Sequence, residues 1–215
     1  FFSTPTPQPE IPLRLVGSEM CIRDRYTDFL RENSDAFKAI GSSDAGVCIT
    51  RSGNQYPGQM MVWNAFPSVE AAMIGSLKYD PNTATGQITK MRELKHSTIW
   101  KSLKSFRLEP GHEVVARFKI QQKNINAFVE IMAELEKEVQ KNGHPNFFNG
   151  VMVSIAGGKE SQTIKVRNIT NSASDQGKIV DEYFSGKYKL FDEAVALTEG
   201  FVDEQIQVCE QIYKQ

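Results

Sequence analysis

Two 23-residue stretches of this chain resemble one another. Gly46–Ser68 (GVCITRSGNQYPGQMMVWNAFPS) aligns without a gap on Gly150–Ser172 (GVMVSIAGGKESQTIKVRNITNS), 104 positions further on. Gly46/Gly150, Val47/Val151, Gly53/Gly157, Val62/Val166, Asn64/Asn168 and Ser68/Ser172 are identical. Ile49/Val153, Thr50/Ser154 and Met60/Ile164 are conservative. Each copy reads as a short apolar strand, a glycine-containing turn and a second strand. The turns fall at Ser52–Pro57 and Ala156–Ser161. A repeated element order restricts the fold to an architecture with two similar halves.

Helical periods flank both hairpins. Ile125, Phe128, Met132, Leu135 and Val139 recur at helical spacing, with Asn124 or Asn126 as N-cap and Gly143 at the end. Tyr26–Ile40 takes the matching place before the first hairpin. After the first hairpin, Ser68 and Glu70 begin a helix. After the second, Phe191, Val195, Phe201, Cys209 and Ile212 share a helical face, so a long C-terminal helix is expected. Ile99–Leu108 and Glu113–Gln121 read as strands, separated by a turn at Glu109-Pro110-Gly111. The expected fold is therefore α+β, two ferredoxin-like βαββαβ-type repeats at 26–109 and 112–215. The first would lack its opening strand and the second its closing strand.

Residues 1–25 stand apart. Phe1–Pro12 carries several prolines and no period, which disfavours regular structure. Arg14–Arg25 (RLVGSEMCIRDR) resembles the conceptual translation of a transposase-type sequencing adapter. The whole segment is expected to be non-native and disordered, and is set aside from fold reasoning. On that reading the opening strand is missing because the adapter stands in its place.

A net charge of −1 over 215 residues leaves no basic excess, so no nucleic-acid partner is expected. No apolar run reaches membrane-spanning length, so no membrane partner is expected either. Cys48 sits in a strand-like run and Cys209 in a helix-like one. They read as two buried free thiols, with a long-range disulfide, implying export, as the alternative. His96, His112 and His144 lie far apart and lack metal-ligand spacing, so no metal is expected. No phosphate loop, dinucleotide fingerprint or catalytic triad is visible, and no cofactor is expected.

Strand alternation singles out side chains. On Glu113–Gln121, Val114, Ala116, Phe118 and Ile120 point toward the helices, and Val115, Arg117 and Lys119 point away. On Thr163–Ile169, Lys165 and Arg167 lie on that same outward side. The first-copy equivalents of Lys165 and Arg167 are apolar, Met61 and Trp63. Facing one another, these walls would suit a small anionic or aromatic ligand. The competing reading is that the cations are solvated or paired with acids.

The run Val62–Ala72 (VWNAFPSVEAA), a strand ending in an aromatic before a small-residue helix, resembles the dimeric α–β barrel superfamily. That group includes antibiotic-biosynthesis monooxygenase-like and NIPSNAP-like domains. The resemblance implies a pseudo-dimeric barrel with a ligand site between two sheets, in a soluble, bacterial-type protein that is a monomer or homodimer. It also implies two alternatives. One is a cofactor-independent monooxygenase or haem-degrading enzyme using Asn64, His96 and Trp100. The other is a structural dimerisation module. The compartment stays open between cytoplasm and export, with a signal lost to truncation.

Overall fold

The computed structural model describes residues 14–80, 86–155 and 157–215, with side chains from residue 22 onward. Helix α1 spans Arg14–Glu32 and α2 Asp35–Ala39. A hairpin follows, β1 (Asp44–Ser52) and β2 (Met60–Ala65). Then come α3 (Val69–Lys78), α4 (Gly86–Thr89) and β3 (Ile99–Ser102). The second half runs β4 (Gly111–Ile120), α5 (Ile125–Lys141), β5 (Phe148–Ile155) and β6 (Thr163–Thr170). It continues through α6 (Ala173–Phe184) and α7 (Lys189–Ala196) to β7 (Thr198–Lys214).

All seven strands join one antiparallel sheet, ordered β2-β1-β7-β4-β6-β5-β3. The two halves are interleaved: β1 takes β7 on its outer edge and β5 takes β3. The hairpin registers agree pair by pair. Gly46 faces Trp63 and Cys48 faces Met61, while Gly150 faces Arg167 and Met152 faces Lys165. The repeated glycines have one physical reason. A Cβ on Gly46 would lie 2.5 Å from the Trp63 ring, and one on Gly150 would lie 3.0 Å from the Phe106 ring. The repeated serines share one too. Ser68 accepts the amide of Ala71 at 3.0 Å and Ser172 that of Asp175 at 3.1 Å, capping α3 and α6.

The main core lies between β4, β5, β6 and helices α5 to α7. The α5 stripe Ile125, Phe128, Met132, Leu135 and Val139 is buried against Phe118, Val151, Ile164 and Val166. Ala116, Phe118 and Ile120 face this core, as the alternation on β4 predicts. Asn124 caps nothing through its side chain; its amide donates to the Leu197 carbonyl at 2.8 Å and ties α5 to the start of β7. The first half is more thinly covered. Met73, Ile74 and Leu77 on α3 stay exposed.

Three expectations are corrected. Residues 14–25, expected to be disordered, are helical and continuous with Tyr26, because the prolines end at Pro12; residues 1–13 lie outside the described residues. The expected C-terminal helix stops at Ala196, and Phe201, Cys209 and Ile212 lie on β7 instead. The spacing of those three fits a helix, but pairing with β1 on one side and β4 on the other satisfies the backbone of a 17-residue strand. That strand occupies the place of the closing strand expected to be missing. Finally, Cys48 and Cys209 are not free thiols. They sit directly opposite on β1 and β7 and form a disulfide.

Candidate functional site

The face of the sheet turned away from α5–α7 gathers the chemistry. Cross-strand partners share a face, so the ladder places Trp63, Met61, Cys48, Cys209, Gln207, Asp203, Arg117, Lys165 and Arg167 on this inner side. The register therefore puts all six ligand-binding candidates on one face of the sheet. Lys119, two positions beyond Arg117 and opposite Thr163, has the same parity but is exposed at the end of β4.

Two of the three inner cations are paired. Arg167 donates through Nε to Glu113 Oε2 at 2.9 Å and through Nη2 to Glu113 Oε1. Glu113 is wholly buried and accepts a third bond, from Gln207 at 2.9 Å. Arg117 donates to Asp203 through Nε at 2.7 Å and through Nη2, and to Glu160 through Nη1. These two acids hold the Arg117 guanidinium far on its charged side. Gln55, from the β1–β2 turn, donates to Asp203 at 2.7 Å, so the first half braces the second here.

Lys165 is different. It is 7% exposed, and its ammonium lies 3.9 Å from the centre of the Trp100 ring. Among the described residues it has no carboxylate within ion-pair distance. Burial pushes its pKa down to about 7; Arg167 and Arg117 add to the drop, while Glu160 and Glu113 oppose it. Below about pH 7 the native state holds this proton at full desolvation cost. Between about 7 and 10.5 the unfolded chain binds more protons than the native one, so stability rises with pH there. Lys165→Met should therefore stabilise the fold at pH 6–7 in urea unfolding. The gain should shrink by roughly 1.4 kcal/mol per pH unit across that window. A gain independent of pH would contradict the buried, unpaired amine.

Glu160 sits in a 3-10 turn, Gly158–Glu160, between β5 and β6. Its carbonyl accepts the hydroxyls of Ser154 and Thr163, each at 2.6 Å, which fixes the turn. Its side chain is 4% exposed, with Oε2 unpartnered. His96 Nε2 lies 3.3 Å from Glu160 Oε1, and His96 is itself 57% exposed. Thus His96, Glu160, Arg117, Asp203, Lys165 and Trp100 form a rim cluster at one end of the inner face. Of the alternative candidates, His96 and Trp100 join it, while Asn64 is exposed on β2 apart from both. His96 lies in the loop between α4 and β3.

Alternation could have revealed Glu113, which has the same parity as Arg117. Asp203 was hidden by the helical reading of its segment, and Glu160 by its place in a turn. Donor atoms of Cys48, Glu113 and Cys209 lie within 4.8 Å of one another. The sulfurs are bonded together and the carboxylate is engaged by Arg167 and Gln207, so this group offers no free cation ligand. No helix among the described residues is long and apolar enough to cross a membrane.

The mixed α+β architecture with its seven-stranded antiparallel sheet has counterparts among solved structures. A protein of Fusobacterium nucleatum, provisionally named a monooxygenase, matches with a TM-score of 0.51 and 10% identity over 93% of this chain and 91% of that one. An anthrone oxidase-like protein matches with a TM-score of 0.52 and 10% identity over 89% of each chain. At such identity the likeness concerns the fold alone. No protein-family model matches the chain, and no curated protein matches it.

Proposed function

We propose that this chain is a pseudo-dimeric α–β barrel protein whose inner face binds a small aromatic molecule bearing an acidic oxygen. The two repeats, 26–109 and 112–215, would be ferredoxin-like units. Support comes from the second half, whose strands in their own sequence order lie 4-1-3-2 across the sheet (β7-β4-β6-β5), as in a βαββαβ unit. In the first half the same rule leaves one strand position, between the free edges of β2 and β3. A strand there would close an eight-stranded ring.

The observation that carries the ligand reading is Lys165. An amine so buried without an acid partner costs folding energy. A phenolate, enolate or carboxylate oxygen would supply the missing counter-charge. The ring of such a ligand would meet Trp100 and, across the face, Met61 and Trp63. Arg117 and Arg167, their own acids satisfied, would raise the local potential without closing the site.

A second reading is cofactor-independent oxidation of a phenolic aromatic. The fold likeness to an anthrone oxidase-like protein favours it, as does the contact between His96 and Glu160, a ready proton acceptor at the rim. With anthrone the balance would be loss of the two methylene hydrogens, gain of one oxygen atom from dioxygen and release of the other as water. Calorimetric titration with 3-hydroxy-2-naphthoate should give saturable binding that Lys165→Met weakens at least ten-fold. Equal affinity in the variant would remove the first reading. Dioxygen uptake with anthrone, lost in Glu160→Gln, would establish the second; no uptake in the wild type would remove it.

A further inference from the structure

We propose that Lys165 is a nucleophile, which captures an aromatic aldehyde or ketone as an imine at the rim of the inner face. The proposal rests on the inner face as an aromatic-ligand site and adds a covalent step to it. Three features of the cluster point to it. The Lys165 amine lies over the Trp100 ring at 3.9 Å, so an aromatic carbonyl compound packed against the edge of that indole would bring its carbonyl carbon to the nitrogen. Every acid near it is committed elsewhere: Glu113 to Arg167 and Gln207, and Asp203 to Arg117 and Gln55. Of the neighbouring acids among the described residues, Glu160 keeps an unpartnered oxygen, Oε2.

A neutral amine is the reactive form, and the surroundings favour it. Burial and the two neighbouring guanidinium groups bring the Lys165 pKa to about 7, so roughly half the molecules carry a free amine at neutral pH. An ordinary surface lysine, with a pKa near 10.4, is neutral in fewer than about one molecule in a thousand.

In the step itself a C–N bond forms as the carbonyl π bond opens, giving a carbinolamine. The carbonyl oxygen then leaves as water, taking with it both hydrogens of the amine. Glu160 Oε2 is the group placed to relay those protons, and His96, largely exposed beside it, links the relay to solvent. No oxidant or reductant enters. Hydrolysis reverses the step, so a carbonyl compound would be held reversibly unless a later reaction consumed it.

The test uses the full chain at pH 7 with 2-hydroxy-1-naphthaldehyde, sodium cyanoborohydride to trap any imine, peptide mapping by mass spectrometry, and tryptophan fluorescence followed in parallel. The expected result is tryptophan quenching together with one reduced adduct at Lys165. It should form on the order of a thousand-fold faster than adducts at surface lysines. Lys165→Arg should lose the adduct, since a guanidinium forms no imine under these conditions. Quenching without an adduct at Lys165, or labelling spread evenly over the lysines, would overturn the imine and leave the ligand reading in place. Neither quenching nor adduct would overturn both.

Discussion

Replacing Cys48 and Cys209 together by alanine should lower the unfolding free energy by about 3–5 kcal/mol. The bond joins residues 161 apart, so it removes a large loop-closure entropy from the unfolded chain. Its position adds weight. Cys48 lies on β1 and Cys209 on β7, so the link staples the first-half hairpin to the final strand. Both residues are buried, at 0% and 4% exposure, so a reductant should act slowly on the native protein and fast once it unfolds. Urea unfolding followed by far-UV circular dichroism is the measurement. The wild type unfolded in reductant should match the double variant, and thiol titration of the unreduced, denatured wild type should find one free thiol, Cys21. Three free thiols, with no stability difference, would show that the sulfurs are not joined.

Glu113→Ala should cost about 3–5 kcal/mol, because it strands the buried Arg167 guanidinium. Glu113 is wholly buried and Arg167 is 6% exposed. In the variant Arg167 would keep only the Phe106 ring, at 5.4 Å, and a long contact to the Cys209 sulfur at 3.9 Å. Replacing both charged residues by methionine should recover most of the loss, since desolvation of both ions disappears with the pair. The double-mutant cycle in urea should show a coupling of several kcal/mol. Additive losses would mean that the two side chains do not share the inner face.

These two expectations mark where the sequence was readable. The facing of β4 and β6 followed from alternation, since Arg117 and Lys119 on one strand and Lys165 on the other each stand between apolar residues, and Arg167 follows Val166 two positions beyond Lys165. The hairpin registers followed from the repeat, because matched residues at one fixed offset impose matched pairings. The acids that neutralise Arg117 could not be found the same way. Glu160 lies in a turn, where parity has no meaning, and Asp203 lies in a segment whose apolar residues fit the helical period. Strand β7 exists through its two neighbours rather than through its own pattern, and long-range pairing leaves little trace in local spacing. The disulfide stood only as the alternative reading for the same reason, since a cysteine on a helix has no strand register to set it opposite Cys48. Of the residues of the alternative site, only the fold brings His96 beside Glu160 and Trp100 beside Lys165.

The central claim is that an aromatic wall from the first half and a cationic wall from the second line one binding surface. Both tryptophans of the chain, Trp63 and Trp100, stand on that surface or at its rim. Trp63→Phe and Trp100→Phe each leave a single reporter. Titrating both variants with 3-hydroxy-2-naphthoate should quench the remaining tryptophan saturably, with the same midpoint in each. Quenching of neither tryptophan at concentrations where the wild type binds the compound would place the ligand elsewhere and contradict the account.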